Sequence, residues 1–213
     1  MKPACSAHGL PQIPSVDSTR MCALPEPSMF AQLLERLAVA LDRAKIPYMI
    51  IGGQAVLLYG EPRLTRDIDV TLGVDVNRLA DLVTLANDLS LAPLVAPETF
   101  TRDTMVLPCQ DATTGIRVDF IFSHSPYEQQ AIRRAVAVTI EHTPVRFASA
   151  EDLIVHKMLA NRPRDLEDVS NVLLKQPHVD LTYIRHWLAQ FSQALTQPIL
   201  EQFERLLKSI TKS

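Results

Sequence analysis

The sequence predicts an α+β fold: a mixed β-sheet core flanked by helices, with a C-terminal helical lobe. Before residue 149, short β-branched runs alternate with segments of helical periodicity, and after it only helical periodicity recurs. The chain has 213 residues, 47% of them hydrophobic, which is enough for one core or for a core with a small lobe. We therefore expect a single compact unit built around one sheet.

The first residues differ in composition from the rest. Residues 1–28 are rich in proline and show no periodicity, which predicts a flexible N-terminal tail. Ser28 is suited to cap a helix that begins near Met29, where apolar residues recur at helical spacing. We expect the core over residues 29–148 and the helical lobe over 149–213. Translation from Met21 or Met29 should then remove nothing that the fold needs.

A strand followed by two glycines opens the core. Residues 48–51 (YMII) are apolar and partly β-branched, and Gly52 and Gly53 separate them from a helix-like segment. Free backbone N–H groups at a helix N-terminus favour an anion, and the missing side chains allow a triphosphate to approach. Many such turns only let a helix pack closely on a sheet, so this motif needs support from the next one.

That support is an acidic strand. Residues 67–72 (DIDVTL) alternate, so that Asp67, Asp69 and Thr71 share one face. The two carboxylates lie about 6–7 Å apart along a strand, close enough to share a hard cation. The pattern also suits a solvated polar face, but acidic residues are poor strand formers and repel each other unless a cation or basic group lies between them.

A third carboxylate lies in another strand-like run, where Val118 and Phe120 flank Asp119. If this strand pairs in register with the acidic strand, Asp119 comes within about 5 Å of Asp67 or Asp69. Three such carboxylates can hold two Mg²⁺ ions about 3.5–4 Å apart. Asp119 can also take the proton from an attacking hydroxyl.

The remaining segments follow in order. We predict a helix over residues 76–89, a strand over 103–109, and a hairpin or sheet edge formed by 136–140 and 145–147 around Pro144. Helical periodicity returns after residue 180. His156 is expected at the surface, since its side chain projects about 100° around the helix from that of Lys157.

The C-terminal segment adds charged groups. Residues 149–152 (SAED) resemble a capping box, and the helix that they begin places Lys157 within an apolar stripe. A lysine there commonly extends to the rim of the apolar surface, but it can also direct its ammonium at the acidic site, toward triphosphate oxygens. Pro163 ends this helix and starts another. Asp165 and Asp168 then lie near its N-terminus, where acids ordinarily complement the helix dipole.

Together these motifs resemble the DNA polymerase β-type nucleotidyltransferase superfamily, whose pattern is an apolar residue, two small residues, an Asp–apolar–Asp strand and a lone acid on a later strand. The narrower resemblance is to the AbiEii/MNT-type minimal nucleotidyltransferases, many of which are toxins of bacterial toxin–antitoxin pairs. It covers about residues 30–174. It rests on residues 52–55 (GGQA), Gly60, the approach to Asp67 through Arg63 and Thr65, and residues 149–157 and 162–169.

The resemblance implies a Mg²⁺-dependent enzyme that transfers NMP from an NTP to a hydroxyl acceptor and releases pyrophosphate. It implies that the catalytic side chains are Asp67, Asp69, Asp119, Lys157 and Asp165, the first three also binding two Mg²⁺ ions. It implies that the NTP is bound by Gly52, Gly53, Arg63, Thr65 and Lys157.

The acceptor is left open by the sequence. The resemblance suggests a tRNA 3′ end, with a cognate antitoxin as protein partner. NMP-ylation of a protein or of a small molecule such as an aminoglycoside is the enzymatic alternative. A catalytically silent nucleotide-binding or antitoxin-like subunit is a further alternative, against which the presence of all three acids argues.

Charge and composition limit the partners. The net charge of −3 gives no general attraction to nucleic acid, so RNA binding would need a local basic patch. Candidates for it are Arg63, Arg66, Arg133, Arg134, Arg162 and Arg164, of which Arg133 and Arg134 also suit a solvated helix face. No apolar run is long enough to cross a bilayer, so we expect no membrane partner. Three cysteines without metal-ligand spacing suggest a reducing cytoplasm.

Overall fold

The structure is a computed structural model that describes residues 28–62, 64–123 and 125–210. The predicted tail, apart from Ser28, and the predicted nucleotide ligand Arg63 lie outside this range. The strands of the described chain are β1 Tyr48–Ile51, β2 Asp67–Leu72, β3 Leu91–Pro93, β4 Val106–Asp111, β5 Arg117–Phe122, β6 Val136–Ile140 and β7 Thr143–Phe147. Its helices are α1 Met29–Arg43, α2 Gly52–Tyr59, α3 Leu79–Asp88, α4 Pro97–Thr104, α5 Pro126–Arg134, α6 Ala150–Ala160, α7 Pro163–Lys175, α8 Leu181–Leu195 and α9 Ile199–Ile210, with a 3₁₀ turn at Val76–Arg78.

The strands form one mixed sheet in the order β3-β4-β5-β2-β1-β7-β6. The central strand β2 pairs antiparallel with β1 and parallel with β5. Strand β1 also pairs in parallel with β7. The predicted mixed sheet flanked by helices is therefore confirmed.

The core lies along the apolar face of β2 and its neighbours. Ile68, Val70 and Phe120 are fully buried, as the alternation of these strands requires. Helix α1 packs against β7 and buries an apolar stripe at helical spacing, made of Leu33, Leu34, Leu37, Ala38 and Leu41. One continuous apolar core thus supports the polar face of β2.

The last four helices follow the sheet in the chain. Helix α6 packs against α7 and α8 and also against α2, which begins at the Gly52–Gly53 turn. The predicted division at residue 149 into a core and a helical lobe remains a prediction. None of the described helices is both long and apolar enough to cross a membrane.

Two predictions about local structure need correction. The strand predicted over residues 103–109 begins only at Val106, because Pro97 initiates helix α4 and Met105 ends it with a left-handed φ of 60°. The hairpin of β6 and β7 is present, but Pro144 lies inside β7. Its turn follows Ile140, where Glu141 has a φ of 50°.

The surface position predicted for His156 is wrong. Helix α8 covers this side of α6, and the His156 ring lies 5.5 Å from that of Tyr127 between centroids. Tyr127 in turn contacts Trp187 and Phe191 of α8. Burial lowers the pKa of His156 to about 4. The imidazole is therefore a neutral member of an aromatic cluster.

Arg134 also differs from the solvated position considered for it. Its guanidinium is bonded to Glu151 at 3.1 Å and to the fully buried Asp152 at 3.3 Å, and lies 4.0 Å above the centre of the Tyr183 ring. Asp152 also accepts hydrogen bonds from Ser149 and Tyr183. Arg134 thus joins α5 to α6 and α8, whereas Arg133 is exposed.

Ser28 caps α1, since its Oγ accepts a hydrogen bond of 3.1 Å from the backbone N–H of Ala31. A start at Met29 would remove this cap, so the expectation that such a start costs the fold nothing stays a prediction, and the cap argues against it. We expect Ser28→Ala to lower the free energy of unfolding by about 1 kcal/mol, measured by urea denaturation. Ser28→Thr keeps the hydroxyl and should retain most of the stability. Equal stability of Ser28→Ala and the unchanged protein would contradict the cap.

Candidate functional site

The sheet places the acidic residues side by side. In the parallel pairing of β2 and β5, Asp69 lies opposite Asp119 and Asp67 lies opposite Arg117. Because alternate residues of a strand share a face, all four side chains project from the same side of the sheet. The strand that carries Asp119 therefore pairs in register with the acidic strand, as the sequence analysis assumed when it placed Asp119 near Asp67 or Asp69.

The turn after β1 touches this acidic face. Ile51 pairs with Asp69 in the antiparallel β1–β2 ladder, so Gly52 follows directly beside Asp69. Gly52 has a φ of +63°, and a Cβ added to it would lie 1.8 Å from Asp69 Oδ2. Glycine is therefore required twice at this position, for the left-handed backbone and for the close approach of the carboxylate.

A cavity of about 700 Å³ lies in front of the acidic face. It contains every predicted site residue that the structure describes. Its lining consists of Gly52, Gly53, Leu64, Thr65, Arg66, Asp67, Asp69, Arg117, Asp119, Lys157, Arg162, Arg164 and Asp165. Arg117 was not among the predicted site residues, although its position two residues before Asp119 on the same strand was a signal for it.

Negative charge accumulates at Asp69. Burial and the neighbouring carboxylates of Asp67 and Asp119 raise the pKa of Asp69 from 3.8 to about 6. The cationic side chains of Lys157 and Arg162 oppose this shift. When the three carboxylates are ionised they repel each other, and the nearby cations reduce this repulsion.

Lys157 does not extend to the rim of the apolar surface. Only 6% of it is exposed, and its Nζ lies 2.7 Å from Asp165 Oδ1 and 2.9 Å from Asp168 Oδ2. An ammonium has three N–H donors, so two carboxylates leave one for another acceptor. The structure thus brings Lys157 and Asp165 together and adds Asp168, which was not among the site residues implied by the resemblance.

Asp165 is held by three groups of the α6–α7 junction. It accepts hydrogen bonds from Lys157, from the Arg162 guanidinium at 2.6 Å and from the Arg162 backbone N–H at 3.3 Å. Burial alone would raise the pKa of Asp165, but the hydrogen bonds from Arg162 and Lys157 outweigh it and lower the pKa. Asp165 therefore remains ionised and fixes the Lys157 ammonium.

Thr65 is mostly buried and is not directed into open space. Its Oγ1 donates a hydrogen bond of 3.2 Å to Asp67 Oδ1. The hydroxyl predicted to contact a nucleotide thus orients a carboxylate in this structure.

The acidic residues fit a hard divalent cation in donor type. Carboxylate oxygens are the ligands that Mg²⁺ prefers, and the crowding that raises the pKa of Asp69 would be relieved by a cation. In the described ranges, however, no three His, Cys, Asp or Glu side chains are already arranged around a metal position. Asp119 Oδ1 accepts a hydrogen bond of 2.8 Å from the Nε of Arg117.

Comparison with solved structures supports the fold. The antibiotic-resistance factor ANT(2'')-Ia in solution is 17% identical, with a TM-score of 0.55 over 83% of this chain and 97% of that one. A crystal structure of ANT(2")-Ia in complex with adenylyl-2"-tobramycin is 16% identical, with a TM-score of 0.56 over 79% and 99%. An antigenic nucleotidyltransferase-like protein from Paracoccidioides brasiliensis is 16% identical, with a TM-score of 0.52 over 80% and 91%.

Sequence comparison identifies the family. No curated protein matches the chain. Residues 28–207, which include the acidic face, the glycine turn and helices α6 to α8, match the family described as "Nucleotidyltransferase of unknown function (DUF6036)". Enzymes of this class use an NTP as substrate. The chain therefore belongs to the DUF6036 family and is a nucleotidyltransferase.

Proposed function

We propose that the protein is a Mg²⁺-dependent, AbiEii/MNT-type nucleotidyltransferase that transfers NMP from an NTP to a hydroxyl acceptor. The observation that carries the proposal is the pairing of Asp69 with Asp119 on neighbouring strands, directly beside Gly52. This arrangement combines oxygen donors for a cation with a helix N-terminus whose N–H groups suit phosphate.

Asp67, Asp69 and Asp119 would hold two Mg²⁺ ions. When bound, the ions would neutralise the triphosphate and polarise its α-phosphorus. The backbone of Gly52 and Gly53 would orient phosphate oxygens, and Lys157 would donate its remaining N–H to them. Asp165 and Asp168 would keep the Lys157 ammonium in position.

The proposed reaction is an in-line displacement. The acceptor oxygen forms a bond to the α-phosphorus as the bond from the α-phosphorus to the bridging oxygen breaks, and pyrophosphate leaves. The proton of the acceptor hydroxyl passes to Asp119. Asp119 lies opposite Asp69, so the base and the cation-binding face are adjacent.

For the acceptor we favour a tRNA 3′ end, as expected of a toxin with a cognate antitoxin. Four arginines line the cavity, namely Arg66, Arg117, Arg162 and Arg164. Arg66 and Arg164 are exposed, and within the described part of the chain neither side chain has a hydrogen-bonded partner. Such side chains suit the backbone phosphates of a nucleic acid.

The proposal is tested by incubating the protein with each α-labelled NTP, Mg²⁺ and total bacterial tRNA. We expect label in RNA, and at least about a thousandfold less with Asp67→Ala/Asp69→Ala, because the charge stabilisation of the transition state is lost. Label in protein or in a small molecule would overturn the tRNA acceptor. No transfer to any of these, with NTP still bound, would point to the silent nucleotide-binding subunit.

The raised pKa of Asp69 predicts the pH dependence. Cation binding needs the ionised carboxylate, so kcat/KM for the NTP should rise about tenfold per unit below pH 6 and level off above it at limiting Mg²⁺. Higher Mg²⁺ should move the midpoint to lower pH, because the cation favours the ionised form. A midpoint near an ordinary value of about 4 at limiting Mg²⁺ would contradict the crowding.

The contact between Gly52 and Asp69 predicts the effect of an added methyl group. Gly52→Ala should reduce transfer at least about tenfold, because Asp69 must move away from the new Cβ. Gly115→Ala is a matched control: Gly115 has a φ of +71°, but its added Cβ would come no closer than 3.9 Å to another residue. The left-handed backbone should cost each variant about 1–2 kcal/mol of stability, and Gly52→Ala should lose more because Asp69 must also be displaced. Equal activity of the two would refute the contact's role.

A further inference from the structure

Arg117 is bonded to one of the three acids of the site. It begins β5, two residues before Asp119, and lies opposite Asp67 in the ladder with β2. Its Nε donates to Asp119 Oδ1 at 2.8 Å. The Arg117 side chain is 52% exposed, whereas that of Asp119 is only 16% exposed. The pair therefore joins a carboxylate at the base of the cavity to a guanidinium that can turn into solvent.

Two other cations of the cavity, Lys157 and Arg162, are bonded to a different acid. That acid is Asp165, at the α6–α7 junction. In the described part of the chain, Arg117 is the cation in direct contact with Asp67, Asp69 or Asp119. The hydrogen bond to Asp119 raises the pKa of Arg117; burial partly opposes this shift, and the charges of Asp119, Asp67 and Asp69 add to it.

A guanidinium and a divalent cation that bind the same carboxylate oppose each other. The guanidinium occupies part of the carboxylate's lone-pair sites, and two positive groups at that distance repel each other. The bond directs Asp119 Oδ1 toward Arg117, its neighbour two residues earlier on the same strand.

We propose that Arg117 is the internal counter-cation of the site, which occupies Asp119 until a divalent cation displaces it. The inference rests on the proposed function in that Asp67, Asp69 and Asp119 are taken as the cation ligands. Arg117 is thus a positioning residue: it holds the Asp119 carboxylate in place before a cation binds, and it weakens the binding of that cation.

The test is the affinity of the substrate-free full chain for Mn²⁺, followed by the electron paramagnetic resonance of the free ion at pH 7.5. We expect Arg117→Gln to tighten Mn²⁺ binding about 3- to 10-fold, because the variant lacks one partly exposed charge-assisted hydrogen bond to Asp119. Arg164→Gln removes a positive charge from the same cavity without removing a bond to Asp119, and should change the affinity less than about twofold.

A double variant separates the specific pair from general charge. With Asp119→Asn already present, Arg117→Gln should give no further tightening, because the competing contact no longer exists. Equal tightening by Arg117→Gln and Arg164→Gln would overturn the inference, as would weaker binding in Arg117→Gln. Failure of both the unchanged protein and Arg117→Gln to bind Mn²⁺ would overturn the inference together with the Mg²⁺ dependence. Mn²⁺ bound with equal affinity by both would overturn the inference alone.

Discussion

The crowding of three carboxylates beside Gly52 is the constraint on which the rest of the site depends. Two strand pairings impose this crowding. The antiparallel pairing of β1 and β2 brings the glycine turn to Asp69, and the parallel pairing of β2 and β5 brings Asp119 to the other side of Asp69. The sheet is built from buried apolar residues on its opposite face, so its register cannot slip by one residue without exposing them. The repulsion among the acids is therefore maintained by the free energy of the core.

A cluster of four charged side chains at the α6–α7 junction is neutral overall but strongly polarised. Lys157 and Arg162 supply two positive charges, and Asp165 and Asp168 supply two negative ones, through contacts of 2.6–2.9 Å. Such an arrangement fixes the direction of the cationic groups without adding net charge to the cavity. Since these residues lie on either side of the break at Asn161, the geometry of one helix junction decides where the ammonium lies relative to Asp69.

Local patterns predicted much of this architecture, and tertiary contacts decided the remainder. The alternation in residues 67–72 identified the acidic face, and the Ser149 cap located helix α6, because both signals are contained within a few residues. The positions of His156 and Arg134 could not be predicted, because they depend on where α8 packs. The bond from Arg117 to Asp119 depends on both kinds of signal. The spacing of two residues on one strand permits the bond, but the cavity around Arg117 decides which acid it contacts.

Gly52 also limits how sequences of this family can diverge. Any side chain there would meet Asp69 Oδ2, so the turn and the acid must be inherited together. Leu64, Arg66 and Arg164, in contrast, are exposed and line the cavity. Related proteins that acquire different acceptors are therefore expected to vary at this rim while the turn and the acids stay constant, so that new specificity arises without rebuilding the chemistry.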